Sequence, residues 1–554
     1  MGLKAAGHLL LGLLLGATAW IAASAAPQRP PAPGAETTHW LAAHSLAIDH
    51  DELYVDADAA RFRAAFGEAP RGVRSEPKSD RLEAPYLATR LWSWALALGG
   101  ERGPFLLHFL AFALAAFAAS RALRAALGGA APLWMALFLF GSTAFTAVFR
   151  WQSEVLVFAA VVLAGALAWG RDTGTADAKG ADEIYGGDLA ARAAFWPWPL
   201  AGLLVGAAAV RHPAYALLAL PMLVDLWRRP RSGQRLGILG LFALSVVLPV
   251  GVVLALHGAP WEAPAAVWSA ALTGWNALFF IAGRNAGLLV GFLPVAALLL
   301  APRSTGGRRY LPLVVMSAAL VQVLMAPFDW AGGSPAVGNL SFLPLYGALL
   351  FCAGPALRLR GALLLAFAVA PFLAPYWLAP LSNGAEPPQA LAPFTSGIRE
   401  RLPFETSLRD LPASPEIVRG GVRLRATGPG LRPAKGKLAL AASRAVVLVE
   451  SDRALTSVRL DFSASAPAAL AVEGGKTAST TFRPNGEVAF EIALGDPARR
   501  HPLWWSRSPV SIYLLRLELP EAGRMAGQGS ASAAEPVTFD LGLARVAGPE
   551  AENP

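Results

Sequence analysis

The sequence predicts an α-helical membrane protein that crosses the bilayer many times and carries a separate all-β domain at its C-terminus. Its 554 residues are 55% hydrophobic and only 15% charged, whereas soluble proteins average about 25% charged residues. Up to residue 380, apolar runs recur with lengths near the roughly 20 residues that cross a hydrocarbon core. After residue 415, short segments of alternating apolar and polar residues lie between turn residues, which is typical of antiparallel strands.

About eleven spans are expected from the apolar runs and the charges between them. They are placed at 5–26, 104–124, 132–149, 153–170, 199–210, 214–227, 236–257, 286–301, 310–327, 340–357 and 362–380. The spans 199–210 and 214–227 are each too short to cross alone, and Pro213 between them breaks the helix. Two interpretations stay open there: a pair of half-length helices, or one kinked span with an error elsewhere in the count.

Arginines are concentrated in four short connections between the predicted spans. They are Arg121 and Arg124; Arg228, Arg229, Arg231 and Arg235; Arg303, Arg308 and Arg309; and Arg358 and Arg360. The positive-inside rule places all four connections in the cytoplasm, so the loop 27–103, the turn 329–339 and the C-terminal domain are expected outside. The net charge of +9 then reflects contact with membrane lipids rather than nucleic acid, because no basic stripe with interleaved aromatics is present.

The N-terminal apolar run, residues 9–21, is followed by Ala23-Ser24-Ala25 and has two interpretations: an uncleaved first span, or a cleaved signal peptide. Residue 27 onward is exported in both. The single cysteine, Cys352, lies within an apolar run. The exported parts are therefore expected to contain no internal disulfide and no cysteine-based zinc site.

The long loop 27–103 is predicted to form two helices lying on the membrane surface, at 36–48 and 86–98, joined by a charged segment. Carboxylates just outside a membrane can act as general bases, or can hold a divalent cation such as Mg²⁺ or Mn²⁺ against a sugar phosphate. Most carboxylates of an exported loop are solvated. Glu36 is the first candidate because it opens a helix at the membrane surface, where the helix N-terminus favours negative charge. Asp49 and Asp51 are further candidates, and His39 is a candidate for substrate binding.

Two further segments combine glycines with polar residues. At 283–289 the chain reads Gly-Arg-Asn-Ala-Gly-Leu-Leu, in which Arg284 and Asn285 are candidates for phosphate binding. At 329–346 a glycine-rich turn carries Asn339 and leads to Tyr346, and its glycines allow close approach of the backbone to a ligand. Each segment alone is also typical of an ordinary helix start or turn.

Together these motifs resemble the GT-C superfamily of polytopic glycosyltransferases, in particular its bacterial mannosyltransferase-like members. The similar segments, in family order, are Gly34-Ala35-Glu36, Arg211 with Pro213, residues 283–289, and Gly338-Asn339 followed by Phe342-Leu343-Pro344 and Tyr346. The likeness covers about residues 1–415. The chain departs from the family pattern at Ala35, where an aspartate is usual, and at Leu340-Ser341, where Arg-Tyr is usual.

The resemblance implies a protein of the bacterial inner membrane that transfers a sugar, with inversion, from a polyprenyl-phosphate donor to a glycan, lipid or protein acceptor. It implies that Glu36 is the base, that Arg284 stabilises the departing phosphate, and that Asn339 or Tyr346 orients the donor. The departures leave a catalytically inactive subunit as an alternative. A transporter or flippase is another alternative, although such proteins usually show mid-membrane charges and two related halves.

The C-terminal part is predicted as a linker, 381–415, followed by a β-sandwich, 416–550. Strands are expected at 444–450, 457–463, 487–493, 511–519 and 537–546. The resemblance suggests that this domain binds a glycan acceptor. Trp504 and Trp505 are its one sugar-stacking signal, and adjacent strand residues point to opposite faces, so at most one of them stacks on a sugar.

Overall fold

The chain divides into two compact units, Met1–Ser396 and Gly397–Pro554. The computed structural model describes the first unit over residues 3–31, 35–70, 73–75, 80–170, 196–228, 235–257, 270–283, 286–295, 298, 306–326, 330–332, 338–353, 373, 376–378 and 380–381. It describes the second over residue 405 and 416–427, 431–434, 437–440, 444–451, 453–464, 468–473, 478–482, 486–495, 499–501, 510–518, 538–542 and 545–546.

Helices make up the first unit. They are α1 (Leu3–Ser24), α2 (Ala35–Ile48), α3 (Asp56–Phe66), α4 (Tyr86–Gly99), α5 (Gly103–Leu127), α6 (Ala131–Phe140), α7 (Glu154–Trp169), α8 (Pro197–Arg211), α9 (Ala219–Arg228), α10 (Arg235–His257), α11 (Ala270–Ala282), the single turn α12 (Leu288–Gly291), α13 (Leu311–Met325) and α14 (Leu343–Leu349). Short 3₁₀ segments adjoin them at Ala26–Gln28, Gly100–Arg102, Gly128–Ala130, Thr143–Phe149, Pro213–Leu218, Gly306–Tyr310 and Leu350–Cys352.

Several of these helices are suited to a membrane. Four stretches of the described chain are long and apolar enough to cross: Lys4–Gln28, Tyr86–Arg124, Leu236–Leu256 and Gly306–Met325. The pair Gly128–Phe140 and Thr143–Phe149, bent by 67°, raises the number to five if it counts as one span. The chain is therefore a multi-pass membrane protein, as predicted. The expected total of about eleven spans stays a prediction. The expected span 362–380 lies largely outside the described residues, and 286–301 and 340–357 lie partly outside them.

The bend in the predicted span 132–149 has a local cause. The Ser142 hydroxyl donates to the carbonyl of Phe138 and accepts a hydrogen bond from the backbone N–H of Ala144. The serine therefore ends α6 and begins the following 3₁₀ turn at the same time. The expected span 132–149 therefore consists of two segments joined at a bend, and the second of them leads directly to Arg150.

The loop 27–103 is folded into the first unit rather than spread over a surface. The two expected helices are present as α2 and α4, but α2 is buried on all sides from Ala35 to Leu46, so the expectation of a surface-lying helix is wrong there. Helix α3 was not predicted; its Asp58 carboxylate accepts the backbone N–H of Val55 and so caps its start. Trp40 packs edge-on against Phe62 of α3, with ring centroids 5.2 Å apart.

The helix break predicted at residues 211–213 is present. Helix α8 ends at Arg211, His212 has an extended backbone (φ −155°, ψ 128°), and a 3₁₀ turn leads into α9. With 15 residues in α8 and 10 in α9, neither helix reaches the roughly 20 residues of a full span. This geometry fits the half-length interpretation and leaves Arg211 half-buried at the end of α8.

The second unit contains two antiparallel sheets. Their strands are β1 (Glu416–Arg419), β2 (Val422–Thr427), β3 (Leu431–Ala434), β4 (Lys437–Leu440), β5 (Arg444–Ser451), β6 (Leu455–Ala464), β7 (Ala468–Glu473), β8 (Ala478–Phe482), β9 (Gly486–Ala493), β10 (Arg499–His501), β11 (Val510–Glu518), β12 (Thr538–Leu541) and β13 (Arg545–Val546). One sheet has the order β1-β2-β5-β11-β7-β8 with β10 beside β11, and the other has β13-β6-β12-β4-β3 with β9 beside β6.

Both sheets contribute to one apolar core. Val449 and Leu515 come from the first sheet, and Leu460 and Phe462 from the second, and all four are fully or almost fully buried. The alternation of apolar and polar residues therefore predicted β5, β6, β9 and β11 correctly, because each of these strands turns one face to this core. The expected strand 537–546 is instead two strands, β12 and β13. Trp504 and Trp505 lie outside the described residues.

Candidate functional site

A buried group of charged and polar side chains lies where the C-terminal end of α1 and the starts of α2 and α7 meet the end of α8. Two ion pairs, Glu36 with Arg150 and Glu154 with Arg211, link these elements. We call Arg29, Glu36, His39, residues 150–154 and Arg211 the polar cluster. Charged side chains are seldom fully buried without a partner. This many charged side chains in one place therefore indicate a site rather than ordinary packing.

Glu36 is the second residue of α2 and is only 3% exposed. Its Oε1 lies 3.3 Å from Nη1 of Arg150, whose side chain is also almost fully buried. The first turn of α2 supplies the positive end of a helix dipole, which favours a carboxylate at this position. The first catalytic candidate from the sequence therefore lies at the centre of the polar cluster.

Residues 150–154 supply most of the other polar groups. The 3₁₀ turn before them ends at Arg150, which has an extended backbone (φ −122°, ψ 151°), and α7 begins at Glu154. Gln152 is 0% exposed, and neither its side-chain oxygen nor its nitrogen has a hydrogen-bond partner among the described residues. An unpaired buried amide typically costs about 1–3 kcal/mol. Such groups are often explained by a ligand or water that they bind.

Arg211 connects the helix break to the start of α7. Its Nη2 lies 2.8 Å from Oε1 of Glu154, and its Nε donates to the same oxygen at 3.0 Å and to the Ser153 hydroxyl at 3.1 Å. The Glu154 side chain is 1% exposed, whereas that of Arg211 is 34% exposed. The arginine is thus held firmly on one side and remains accessible on the other.

His39 lies one turn beyond Glu36 on α2. Its Nδ1 is 2.7 Å from the carbonyl oxygen of Trp151. Because a carbonyl only accepts, Nδ1 carries the proton of the neutral ring. Burial is the main cause that lowers the pKa of His39 to about 3, and the charges of Arg211 and Arg74 lower it further, while the bond to Trp151 opposes them. At neutral pH the cluster therefore contains an uncharged imidazole.

Among the described residues, positive charge exceeds negative charge around the polar cluster. Burial lowers the pKa of Arg29 to about 10; the nearby charge of Arg150 lowers it as well, and Glu36 offsets part of the shift. The Nη2 atom of Arg29 is buried without a hydrogen-bond partner among the described residues. Among the described residues, Arg29, Arg74, Arg150 and Arg211 interact with this region, and Glu36 and Glu154 are carboxylates that face them. Such an excess of guanidinium groups favours an anionic ligand, phosphate above all.

The segment around Asn339 lies beside the polar cluster through Tyr215. The Tyr215 hydroxyl donates to the carbonyl of Ser341 at 2.7 Å, and Tyr215 is close enough to interact with the charges of Glu154 and Arg211. The Asn339 Oδ1 accepts the backbone N–H of Phe342 at 2.9 Å, while its Nδ2 is buried without a partner among the described residues. Asn339 therefore shapes the turn and keeps one donor for a ligand.

Gly338 shows why this turn needs glycine. Its φ is +87°, and a Cβ there would meet the side chain of Thr143. Tyr346, by contrast, is fully buried, donates its hydroxyl to the carbonyl of Phe138 at 2.7 Å, and stacks on the Phe138 ring at 3.7 Å. The structure thus places Tyr346 in helix packing, apart from the residues that the cluster brings together.

Asp49 and Asp51 lie at the far end of α2. Asp49 forms an ion pair with Arg61, and Asp51 accepts the Ser45 hydroxyl at 2.8 Å and the backbone N–H of Leu53 at 3.1 Å. Thirteen residues of helix separate Asp49 from Glu36, which is about 20 Å at 1.5 Å per residue. The structure therefore does not bring them to the polar cluster, and their catalytic role stays a prediction. Arg284 and Asn285 lie outside the described residues.

Arg29 and residues 150–154 were not singled out in the sequence. The signal for 150–154 is that Arg, Gln, Ser and Glu interrupt two long apolar runs within five positions. In the sequence these residues look like a solvated turn between two spans. In the structure they are buried and form a large part of the polar cluster. Arg29 lies in a proline-rich stretch, 27–33, and no local pattern marks it.

A divalent cation does not fit the described part of the polar cluster. Among the described residues, no three His, Cys, Asp or Glu side chains come together as a group that could hold a metal ion. Glu36 and Glu154 each face an arginine instead. A guanidinium beside a carboxylate occupies the place where a hard cation would bind, so these two carboxylates do not suit a divalent cation.

Comparison with solved structures finds a structural likeness. No family model matches the chain, and no curated protein matches it. The crystal structure of ArnT from Cupriavidus metallidurans bound to undecaprenyl phosphate is similar to this chain, with a TM-score of 0.42 and 16% sequence identity, covering 69% of this chain and 67% of ArnT. At this identity and TM-score, the likeness assigns no residue and no activity to this chain.

Proposed function

We propose that the chain is an inverting membrane glycosyltransferase of GT-C type that takes its sugar from a polyprenyl-phosphate donor. The observation that carries this proposal is the polar cluster: a buried carboxylate, Glu36, lies among more arginines than carboxylates at the ends of membrane helices. A lipid-linked phosphate presents its anionic group at this depth. The motifs shared with the GT-C superfamily support the same reading, since Glu36, Arg211 and Asn339 belong to them.

The proposed chemistry needs one base and several cations. Glu36 accepts the proton of the acceptor hydroxyl as that oxygen attacks the anomeric carbon. The bond from the anomeric carbon to the phosphate oxygen breaks, and the polyprenyl phosphate leaves with the bonding electrons. Arg29 and Arg211 stabilise the charge that develops on the leaving phosphate. Arg284, which the GT-C resemblance assigns to the phosphate, is proposed to have the same role.

The remaining groups position these reactants. Arg150 holds the Glu36 carboxylate at the start of α2, and neutral His39 and the unpaired Gln152 amide offer hydrogen bonds to sugar hydroxyls. Asn339 has a free buried amide donor on the neighbouring turn. The C-terminal sheets are proposed to form a β-sandwich outside the cytoplasm that binds a glycan, lipid or protein acceptor.

The decisive experiment is Glu36→Gln in the full-length chain, assayed in membranes with a panel of polyprenyl-phosphate sugars. Loss of a general base typically lowers the rate by about 10²–10⁴-fold, while the amide keeps the size of the side chain, so donor binding is expected to survive. Asp49→Asn and Asp51→Asn are matched controls that remove a carboxylate at the other end of α2 and are expected to keep most of the activity.

Normal turnover of the Glu36→Gln enzyme would overturn the assignment of the base. If activity fell in Asp49→Asn or Asp51→Asn instead, the base would lie at the other end of α2. The departures at Ala35 and Leu340 favour one second candidate, a subunit that binds the lipid-linked sugar without transferring it. That candidate predicts donor binding by the native chain with no product from any donor in the panel.

A further inference from the structure

A second basic site lies at the opposite end of α1 from the polar cluster. It is a pocket of about 130 Å³ lined by Lys4, His8, Arg124, Gly128, Gly129 and Pro132, which we call the basic pocket. Helix α1 has 22 residues and is therefore about 33 Å long. The basic pocket and the polar cluster are thus separate sites.

The basic pocket lies where two membrane-spanning helices reach the surface. Lys4 begins the candidate span Lys4–Gln28, and Arg124 ends the candidate span Tyr86–Arg124. Since α1 begins where α5 ends, both helices meet the same face of the membrane at this point. The pocket is therefore at the depth of lipid headgroups, immediately outside the hydrocarbon region.

The lining of the basic pocket is cationic. Lys4, His8 and Arg124 are exposed, and within the described parts of the chain none of their side chains forms an ion pair or hydrogen bond. None of the described residues that line the pocket is acidic. A lysine and an arginine that converge without a carboxylate favour a phosphate oxygen, which accepts charge-assisted hydrogen bonds from both.

Space for the ligand comes from the glycines between α5 and α6. Gly128 has a φ of +56°, and a Cβ at this position would meet no atom within 4 Å. At Gly129 a Cβ would lie 3.3 Å from Cβ of Lys4. A larger residue at 129 would therefore press on Lys4, whereas glycine leaves its side chain free to turn into the pocket.

Apolar side chains continue from the basic pocket toward the middle of the membrane. Phe117 and Leu110 on α5, about two and four turns before Arg124 and on the same side of the helix, are 65% and 62% exposed. These side chains offer a surface for acyl chains below the cationic lining. A free phosphate ion would use the lysine and arginine alone, but a phospholipid would use both parts.

We propose that the basic pocket binds the phosphate headgroup of an anionic membrane phospholipid, with the acyl chains lying along α5. Basic pockets between transmembrane helices are known to hold such headgroups. This site does not depend on the proposed transferase activity, because it shares no residue with the polar cluster.

The test uses the full-length protein in detergent and counts lipid adducts by native mass spectrometry during titration with phosphatidylglycerol. Lys4→Gln and Arg124→Gln each remove one charge-assisted hydrogen bond and should weaken binding about tenfold, and the double variant about a hundredfold. Arg121→Gln is the matched control: it removes the same charge from the same helix one turn away, outside the pocket lining, and should change the affinity less than about twofold. The melting temperature of each variant checks that it is folded.

Four outcomes would overturn the proposal. If phosphatidylcholine binds as tightly as phosphatidylglycerol, the headgroup charge is not recognised. If Arg121→Gln weakens binding as much as Arg124→Gln, diffuse charge rather than the pocket holds the lipid. If millimolar inorganic phosphate displaces phosphatidylglycerol, the site is for a free anion. If undecaprenyl phosphate binds in preference and depends on Lys4 and Arg124, the pocket serves the proposed donor lipid instead.

Discussion

At the polar cluster, the effect of removing an arginine depends on whether a carboxylate faces it. Arg150 and Glu36 are both almost fully buried and lie 3.3 Å apart. Removing one member of a buried pair leaves the other charge uncompensated. Arg29, by contrast, has a pKa lowered to about 10 by burial and by the neighbouring Arg150, so its charge is disfavoured in the unliganded protein.

Arg150→Met and Arg29→Met should therefore have opposite effects on stability. We expect Arg150→Met to lower the free energy of unfolding by about 3–5 kcal/mol, and Arg29→Met to leave it unchanged or raise it. Both should weaken binding of a polyprenyl phosphate, because each removes a cation from the site. Unfolding in mixed detergent micelles measures the first effect, and a lipid-binding titration the second. Equal destabilisation by both would mean that the excess positive charge is compensated elsewhere.

His39 makes a pH-dependent contribution to stability. Burial lowers its pKa from 6.5 to about 3 in the folded state. Between these two values the unfolded state binds a proton that the folded state does not, so stability rises with pH across this window and is lost as pH falls below about 6.5. The loss approaches about 1.4 kcal/mol per pH unit at most.

His39→Gln tests this contribution because the amide can donate to the Trp151 carbonyl but does not titrate. We expect the variant to lose less stability than the native protein between pH 7 and pH 5, by up to about 2 kcal/mol. The midpoint of unfolding in micelles at each pH gives the comparison. An identical pH dependence in both proteins would show that His39 is protonated without penalty.

At the scale of the elements, two helices are held together by a glycine contact. Gly206 of α8 lies against α10, where a Cβ would meet the carbonyl oxygen of Val246 and come 3.0 Å from the ring of Pro249. Small residues at such contacts let membrane helices approach closely. Because α8 carries Arg211 at its end, this contact also supports the position of the arginine.

Gly206→Ala should therefore destabilise the protein and reduce donor-lipid binding, although alanine is the better helix former by about 1 kcal/mol. Gly240→Ala is the matched control on α10, since a Cβ there would meet nothing within 4 Å. We expect it to keep or raise stability. If both variants unfold at the same detergent concentration, α8 and α10 are not in close contact.

The sequence predicted elements better than their environments. Alternation identified β5, β6, β9 and β11, and apolar runs identified α1, α5 and α10. Both patterns are visible in the local sequence, because each follows directly from which side of the element is buried. Burial of a polar segment does not follow from its own pattern. Glu36 was selected by its place at a helix start, but its partner Arg150 is 114 residues away, and only the packing of α2 beside the bent span reveals it.

At the scale of the whole first unit, the two basic sites lie at opposite ends of α1. The polar cluster gathers the end of α1 and the starts of α2 and α7, while the basic pocket gathers the start of α1 and the end of α5. Since α1 is long enough to cross a membrane, the two sites should face opposite compartments. The arginine-rich connections predict the basic pocket to be cytoplasmic.

Reporter fusions test this orientation for the entire chain. Alkaline phosphatase, which is active only outside the cytoplasm, should be active when fused after Asp80, Ser334 or Arg507, and a cytoplasmic reporter should be active after Gly129, Arg231 or Arg308. The physical reason is the retention of Arg and Lys on the cytoplasmic side.

Replacing Arg121 and Arg124 together with glutamine should weaken this charge asymmetry and produce mixed signals after Gly129. The same change at the exposed Arg459 and Arg453 of the second unit should leave the signals unchanged. A cytoplasmic signal after Asp80 would place the polar cluster on the wrong side for an extracytoplasmic acceptor, and one after Arg507 would remove the C-terminal sheets from that compartment.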